Sequence, residues 1–145
     1  LAMACDLRTA STECRLGLPE IKMGVPSVIE AALMPGLIGP GRAAEYLLTG
    51  EMMTAEQALQ WGLVNRVAPP PELETVTQEL AGKILACAPT AVRIQKELLN
   101  RWRQTDLPTA IRYGINAFST SYATGEPREA MTAFLEKRPP KFPDA

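Results

Sequence analysis

Three consecutive prolines, Pro69 to Pro71, divide the chain into two stretches of different character. Residues 1–68 mix short apolar runs with glycines, whereas residues 69–145 carry apolar residues at helical spacing almost throughout. Proline lacks a backbone N–H and restricts the residue before it, so such a run interrupts regular structure. We therefore predict a domain boundary here, between residues 1–68 and residues 69–145.

The second stretch has the spacing of four amphipathic helices, because residues three and four apart share one helical face. The apolar stripes are Leu73, Val76, Leu80, Ile84 and Cys87; Ala91, Ile94, Leu98 and Trp102; Ile111, Ile115, Phe118 and Tyr122; and Met131, Phe134 and Leu135. Pro89 and Pro127 fit the first turns of the second and fourth helices. Four helices in so short a stretch cannot cover all their apolar faces with one another. We expect some of this surface to meet the first stretch or another subunit.

The first stretch contains shorter signals. Ser27 with Glu30, and Thr54 with Gln57, match the capping box, in which two side chains satisfy free N–H groups at a helix start. Apolar runs beside turn residues are typical of strands. We predict strands over 7–10 and 63–68, and helices over 27–35, 41–49 and 54–61.

Composition excludes several classes of function. Lys and Arg number 15 against 16 Asp and Glu, a net charge of −1, so no overall positive field attracts nucleic acid or an anionic membrane. No apolar run reaches the roughly 18 residues of a membrane span. Histidine is absent, which excludes Ser-His-Asp and Cys-His systems and His-ligated metals from this chain alone. Acid–base chemistry then depends on carboxylates, Lys, Tyr or Cys.

The cysteines and the first residues bear on the cellular compartment of the protein. Cys5, Cys14 and Cys87 are odd in number and lack CxxC spacing, which favours reduced, buried thiols in a cytoplasmic protein. The chain opens at Leu1 in an apolar stretch without the basic region of a signal peptide. We expect the native N-terminus to lie upstream.

Glu20 is the first candidate for acid–base chemistry. It stands in the segment 17–24, framed by apolar residues, a proline and two glycines. Such surroundings desolvate a carboxylate and raise its pKa toward the general-acid range. The alternative is a solvated turn residue or a cap. The segment 24–27 leads into a predicted helix start, whose free N–H groups suit a water, a thioester oxygen or an anion.

Cations and aromatic residues alternate near the end of the chain. They are Arg128, Phe134, Lys137, Arg138, Lys141 and Phe142. Phosphates and an adenine ring suit that combination, although charged residues on the outer face of a terminal helix are more often simply solvated. Neither GxGxxG nor P-loop spacing is present, so the standard nucleotide folds are not indicated.

Four blocks of sequence resemble the enoyl-CoA hydratase (crotonase) family. They are LAMACDLRTAS, GLPEIKMG, AEYLLTGEMMTAEQALQWGLVNRVA and YATGEPREAMTAFLEKRPPKF, in the family's order and over nearly the whole chain. The resemblance is to the C-terminal part of a crotonase. It implies an α/β fold in which residues 1–68 form the later turns of a ββα spiral. Residues 69–145 would then form a helical trimerisation region, with trimers often paired into hexamers.

The resemblance also implies a site. Members of the family bind acyl-CoA thioesters, stabilise an enolate-like oxyanion with two backbone N–H groups, and move protons with carboxylates. Glu20 resembles the glutamate that exchanges a proton with the α-carbon. Phe118 and Phe134 correspond to positions beside the adenine of a neighbouring subunit's CoA, and Lys137 to one facing phosphate. Core packing is the alternative for both phenylalanines.

The implied function is a lyase that adds water reversibly to the 2,3 double bond of an enoyl-CoA thioester. No separate cofactor is expected, because coenzyme A is part of the substrate. The second glutamate and the oxyanion donors are expected ahead of Leu1. The segment 25–30 departs from the glycine-rich stretch of many hydratases, which leaves isomerase, decarboxylase or related lyase chemistry open. A truncated, non-catalytic subunit is also open, and Glu30 is either an added acidic group or a helix cap.

Overall fold

A computed structural model describes residues 1–142. The chain divides into two compact units, the first spanning Leu1–Glu79 and the second beginning at Leu80. This division falls inside a helix, Leu73–Leu85. The predicted domain boundary after residue 68 stays a prediction.

The first unit mixes strands and helices. Its strands are β1 (Thr9–Ser11), β2 (Arg15–Leu16), β3 (Met53–Thr54) and β4 (Arg66–Ala68). Its complete helices are α1 (Met34–Ile38), α2 (Pro40–Thr49) and α3 (Ala55–Gln60). Short 3-10 helices occupy Ala2–Ala4, Pro19–Met23, Ile29–Leu33 and Pro70–Glu72. The helix Leu73–Leu85, α4, starts in this unit.

Two small sheets join distant parts of the first unit. β1 pairs with β4 in parallel, with Ala10 opposite Val67, and β2 pairs with β3 antiparallel. The predicted strands over 7–10 and 63–68 are therefore confirmed as a pair of strand segments, but each begins later than predicted. The hydroxyl groups of Thr9 and Thr77 lie 2.8 Å apart, which connects β1 to the first turns of α4.

The core of the first unit is built from small and medium apolar side chains. Its buried members are Ala10, Met34, Ile38, Ala43, Tyr46, Met53, Ala58, Leu63 and Val64. Tyr46 meets Trp61 edge to face, with ring centroids 5.4 Å apart, and the Arg42 guanidinium lies 5.1 Å from the Trp61 ring centre. Ala43 of α2 and Ala58 of α3 are among these members, and such small side chains let the two helices pack closely on their neighbours.

Helix predictions in the first unit have mixed outcomes. Thr54 accepts a hydrogen bond from the N–H of Gln57, and the Gln57 side chain returns one to the N–H of Thr54, which confirms that capping box. The helix over 41–49 is confirmed as α2. The capping box at Ser27 is wrong. Val28 precedes the 3-10 helix Ile29–Leu33 without a side-chain cap, and Ile29 takes a left-handed φ of 56°, which breaks any helix running through it.

The second unit is helical, and all four predicted amphipathic helices are present. After α4 come α5 (Pro89–Trp102), α6 (Leu107–Ser121) and α7 (Glu126–Leu135), with a 3-10 turn at Tyr122–Thr124. Pro89 and Pro127 lie in first turns, as predicted. The Trp102 indole N–H donates to the carbonyl of Ala110 at 2.9 Å, which fixes the end of α5 against the start of α6.

A buried carboxylate caps α5. Ala88 precedes this helix and has no side-chain acceptor, so the first N–H groups need another partner. Glu126, only 4% exposed, accepts from the N–H groups of Thr90 at 2.8 Å and Ala91 at 3.0 Å. Burial raises the pKa of Glu126, but these hydrogen bonds outweigh it and hold the pKa below its ordinary value.

The three cysteine thiols differ in their exposure. All three thiols are free, but Cys5 and Cys87 are exposed and Cys14 is half-buried, so the prediction of buried thiols is wrong. Cys5 lies beside a short 3-10 helix and Cys87 after the end of α4, where little chain covers them.

Within residues 1–142, every helix is too short or too polar to cross a bilayer.

Candidate active site

The candidate base Glu20 lies in a tight turn of the first unit. The 3-10 helix Pro19–Met23 begins with proline, which is pre-set for the first turn of a helix, and ends at Gly24 in the left-handed region, φ 82°. The N–H of Val25 donates to the carbonyl of Glu20 at 3.3 Å. The backbone of Glu20 is therefore fixed on both sides, and its half-buried side chain projects from a defined position.

Gly50 allows this turn to pack closely on the end of α2. A Cβ at Gly50 would lie 3.0 Å from Cγ2 of Ile21 and 3.1 Å from Cγ of Lys22, and the residue has a φ of 64°. Lys22 then pairs with Glu51 across 2.9 Å, between exposed side chains. The glycine thus satisfies both the left-handed end of α2 and the contact that supports the Glu20 turn.

Ser27 contacts the Glu20 carboxylate directly. The Ser27 hydroxyl donates to Oε2 of Glu20 at 2.8 Å. The N–H of Glu20 itself, and then this hydroxyl, lower the pKa of Glu20 below its ordinary value, and partial burial only weakly opposes them. The expectation of a raised pKa is therefore wrong for this chain, because hydrogen bonds to the ionised form outweigh desolvation.

Glu30 does not act as a helix cap. It is half-buried in the 3-10 helix Ile29–Leu33, and the serine proposed as its capping partner bonds Glu20 instead. The capping explanation of Glu30 is therefore wrong. Its interpretation as an added acidic group stays a prediction.

An apolar pocket of about 380 Å³ opens in the first unit. It is lined mainly by the segments 1–10 and 14–18, with Met34, Leu63 and Val64. Glu20 is not among the lining residues, although Leu18 is only two positions away. The pocket alone therefore does not define where a substrate would meet the candidate base.

Phe118 and Phe134 are surface residues of the second unit. Phe118 is 66% exposed and Phe134 is 82% exposed, so core packing within this chain is wrong for both. Phe118 lines a groove of about 290 Å³ between α5 and α6, and its ring meets that of Tyr122 at 5.3 Å. Both rings are available for contact with another molecule or another chain.

Lys137 stands at the end of α7 in a conformation usually taken by glycine. Its φ is 54°, its N–H donates to the carbonyl of Phe134 at 3.2 Å, and the N–H of Arg138 donates to that of Ala133 at 3.0 Å. These are the hydrogen bonds of a Schellman motif. The exposed Lys137 and Phe134 are thereby held at one helix end, whereas Glu20 belongs to the first unit.

Arg138 is engaged by acidic side chains. Its guanidinium contacts the Glu129 carboxylate at 2.6 and 3.1 Å and Glu136 at 2.6 Å, and the N–H of Lys141 donates to Glu129 at 2.7 Å. The arginine side chain, a member of the predicted cation and aromatic cluster, is thus occupied within the chain. Lys137 and Phe134, two other members, keep their candidate roles.

Sequence reasoning missed two residues that matter here. Ser27 was assigned to a helix start, although its position seven residues after Glu20 in a loop could have suggested a partner for the carboxylate. Glu126 carried no signal, because a glutamate before a proline at a helix start is ordinary. Within residues 1–142, the cysteine, aspartate and glutamate side chains form no group of three that could hold a metal ion.

The sequence matches known proteins along its whole length. A sequence model described as enoyl-CoA hydratase/isomerase matches residues 1–145. The short-chain-enoyl-CoA hydratase of Clostridium acetobutylicum is 40% identical over 139 residues, which is 95% of this chain and 53% of that protein. The crotonyl-CoA hydratase of Syntrophomonas wolfei is 40% identical over 143 residues, which is 98% of this chain and 55% of that protein.

The fold agrees with a solved relative. An enoyl-CoA hydratase from Bacillus anthracis superposes with a TM-score of 0.92 at 36% identity, covering 97% of this chain and 55% of that one. The chain thus has a crotonase-like α/β fold, and it spans about half the length of the relatives that it matches. Given the match of the family model to the full chain, this polypeptide belongs to the enoyl-CoA hydratase/isomerase family.

Proposed function

We propose that the protein containing this chain is an enoyl-CoA hydratase-type lyase, which adds water reversibly to the 2,3 double bond of an enoyl-CoA thioester. Relatives named short-chain-enoyl-CoA hydratase and crotonyl-CoA hydratase support this reaction class. The observation that carries the proposal is the Glu20 carboxylate, half-buried in a fixed turn and hydrogen-bonded at 2.8 Å to Ser27.

Glu20 exchanges a proton with the α-carbon in this mechanism. In hydration, the oxygen of water bonds to C3 while Glu20 gives a proton to C2, and the proton lost by water restores the acid form of the carboxylate pair. In dehydration, Glu20 removes the proton from C2 and hydroxide leaves C3 as water after protonation. The second carboxylate and the two oxyanion N–H donors come from residues ahead of Leu1 in this proposal.

Replacement of Glu20 tests the mechanism. In the native protein, Glu20→Gln should lower turnover by orders of magnitude and leave the affinity for CoA nearly unchanged, because the amide cannot exchange the proton. Glu13→Gln, which removes an exposed carboxylate of the same unit, is the control, and Glu30→Gln tests the other half-buried carboxylate. Full activity of Glu20→Gln would remove Glu20 from the mechanism, and a loss in Glu30→Gln would identify that residue as a second acidic group.

We further propose that Phe118, Phe134 and Lys137 contact the CoA part of the substrate, the rings beside adenine and the lysine facing phosphate. The exposure of both rings and the left-handed backbone of Lys137 support this role. Phe134→Ala and Lys137→Ala should raise KM for the acyl-CoA with little change in kcat. Leu135→Ala, which removes a neighbouring side chain that is 80% exposed, should leave KM unchanged if the contact is specific.

The finer architecture belongs to the same proposal. Residues 1–68 form later turns of a ββα spiral, and residues 69–145 form a helical region that assembles homotrimers or homohexamers. Exposed apolar side chains on α6 and α7 support assembly. Light scattering of the native protein tests it, because a monomer at micromolar concentration would contradict the assembly. The free thiols are consistent with a cytoplasmic location.

Other acyl-CoA chemistry is the second candidate. The segment 25–30 motivates it, since Ile29 has a φ of 56° there and Ser27 engages the candidate base. A panel of enoyl-, 3-hydroxyacyl- and malonyl-type CoA thioesters separates the reactions. Hydration alone would exclude the isomerase and decarboxylase alternatives, and the absence of any turnover would favour a non-catalytic subunit.

A further inference from the structure

The hydroxyl of Ser27 has two acceptors within reach and one hydrogen to give. Oε2 of Glu20 lies at 2.8 Å, and the carbonyl oxygen of Leu18 lies at 3.4 Å. The shorter contact, to a carboxylate, is the stronger one because charge-assisted hydrogen bonds are shorter and stronger than neutral ones. The serine therefore donates to Glu20, and the Leu18 carbonyl is a second, longer contact of the same hydroxyl.

The backbone around Ser27 holds the hydroxyl where Glu20 needs it. Gly24 turns the chain back with a φ of 82°, and the N–H of Val25 bonds the carbonyl of Glu20 at 3.3 Å. Ser27 follows two residues later and is half-buried. Because the chain reverses at Gly24, the Ser27 hydroxyl returns to the carboxylate of Glu20, seven positions earlier in the sequence. The contact is therefore part of the folded turn.

Three of the four other charged residues near the turn contact groups other than Glu20. The charged residues of the elements that pack here are Lys22, on the same turn, Arg42 and Glu45 on α2, and Glu51 after it. Lys22 pairs with Glu51 at 2.9 Å, and Arg42 lies over the Trp61 ring at 5.1 Å. The pKa of Glu20 is lowered by its own N–H and then by Ser27, so the serine is the side chain that acts on it.

We propose that Ser27 is a positioning residue for Glu20, whose hydroxyl orients the carboxylate and favours its ionised, proton-accepting form. The assignment rests on the proposed role of Glu20 in exchanging a proton with the α-carbon. Ser27 itself neither gains nor loses a proton in the reaction. It sets the direction in which the carboxylate is aimed and the pH range in which Glu20 can accept a proton from C2.

The kinetic experiment compares Ser27→Ala with Ser27→Thr in the native protein, in the dehydration direction on a 3-hydroxyacyl-CoA. Ser27→Ala should lower kcat on the order of tenfold with little change in KM, and the acidic limb of the pH profile should move to higher pH. Ser27→Thr keeps the hydroxyl and should restore both. Ser119→Ala is the matched control, since that exposed hydroxyl bonds only the carbonyl of Ile115 in its own helix.

A second measurement does not depend on turnover. Carbon-13 NMR of the Glu20 carboxyl group should show its pKa rising in Ser27→Ala and returning toward the parent value in Ser27→Thr. An unchanged Glu20 titration in a folded Ser27→Ala variant would overturn the positioning role, as would an unchanged acidic limb. If Glu20→Gln keeps full activity while the NMR shift is present, the proposed function fails but the Ser27 contact holds. The two failures are thus distinguishable.

Discussion

The interiors of the two units are built from different materials. In the first unit the buried side chains are apolar, and nine of them form one cluster that includes Met34, Tyr46 and Met53. In the described part of the second unit, the buried apolar side chains are Leu98, Ala110 and Ala133, and the carboxylate of Glu126 is buried as well. The buried side chains of the first unit are apolar, whereas those in the described part of the second unit include a hydrogen-bonded carboxylate.

Because their interiors differ, the two units suit different tasks. A packed interior gives the first unit a firm base on which the Glu20 turn can be held, through Gly50 and the end of α2. The second unit leaves large apolar side chains of α6 and α7 outside, including Ile115, Phe118, Phe134 and Leu135. Surfaces of this kind are typical of interaction sites. Substitutions should therefore affect the two units by different mechanisms.

The largest effect is expected from Met53→Ala in the first unit. Met53 is 0% exposed in β3, so truncation leaves a cavity as well as losing buried apolar area. The cost should be about 3 kcal/mol of the free energy of unfolding. Urea denaturation, with hydrogen exchange to localise the loss to residues 1–79, measures it.

Two control variants sharpen this result. Met52→Ala removes the exposed neighbour of Met53, and Leu135→Ala removes an exposed side chain of the second unit. Both should cost less than about 1 kcal/mol. Equal losses for Met53→Ala and Leu135→Ala would break the comparison, because the exposed face would then be supporting the fold as much as the core does.

Glu126→Gln should have the next largest effect, in the second unit. The amide has one acceptor oxygen where the carboxylate has two, so one of the N–H groups of Thr90 and Ala91 loses its partner. The expected cost is about 2 kcal/mol, from a partly buried donor left without an acceptor. Hydrogen exchange of these two amides measures the loss directly. Glu97→Gln on the exposed face of α5 is the control, and an equal loss there would contradict a specific capping role.

Periodicity predicted the helices of the second unit well, and turn chemistry predicted α2 and α3 in the first unit, because these signals are local. The four stripes after residue 72, the capping box at Thr54 and the helix before Gly50 all needed only neighbouring residues. Ser27 and Glu126 could not be assigned in this way. Each bonds a partner from another segment, Glu20 or the start of α5, so tertiary structure decides its role. The same reason explains the wrong pKa direction predicted for Glu20.

Thr54→Ala should have a smaller effect than the buried substitutions. It removes the acceptor for the N–H of Gln57 at the start of α3, which should cost about 1 kcal/mol. Thermal denaturation measures it against Thr75→Ala, an exposed threonine within α4, where the higher helix propensity of alanine makes the change neutral or favourable. If the two variants lost equal stability, the cap would contribute nothing beyond helix propensity.

The most local effect is expected at Glu129, whose contacts fasten the residues after α7. The Arg138 guanidinium, and then the N–H of Lys141, lower the pKa of Glu129 from 4.5 to about 2. A carboxylate with a lowered pKa in the folded state stabilises that state above pH 4.5, and the contribution is lost as the pH falls from 4.5 toward 2. The residues from Arg138 to Lys141 should loosen over this range, because Glu129 holds them through these contacts.

Carbon-13 NMR of the Glu129 carboxyl group checks this directly, with a midpoint expected near 2 in the parent protein. Arg138→Gln removes the main cause of the shift, so the midpoint should move upward toward the ordinary value. Glu136→Gln leaves the contacts of Arg138 to Glu129 at 2.6 and 3.1 Å in place and should move the midpoint much less. A midpoint near 4.5 in the parent protein would show that these bonds do not persist in solution. The second unit would then lose one of the carboxylate contacts that distinguish it from the first.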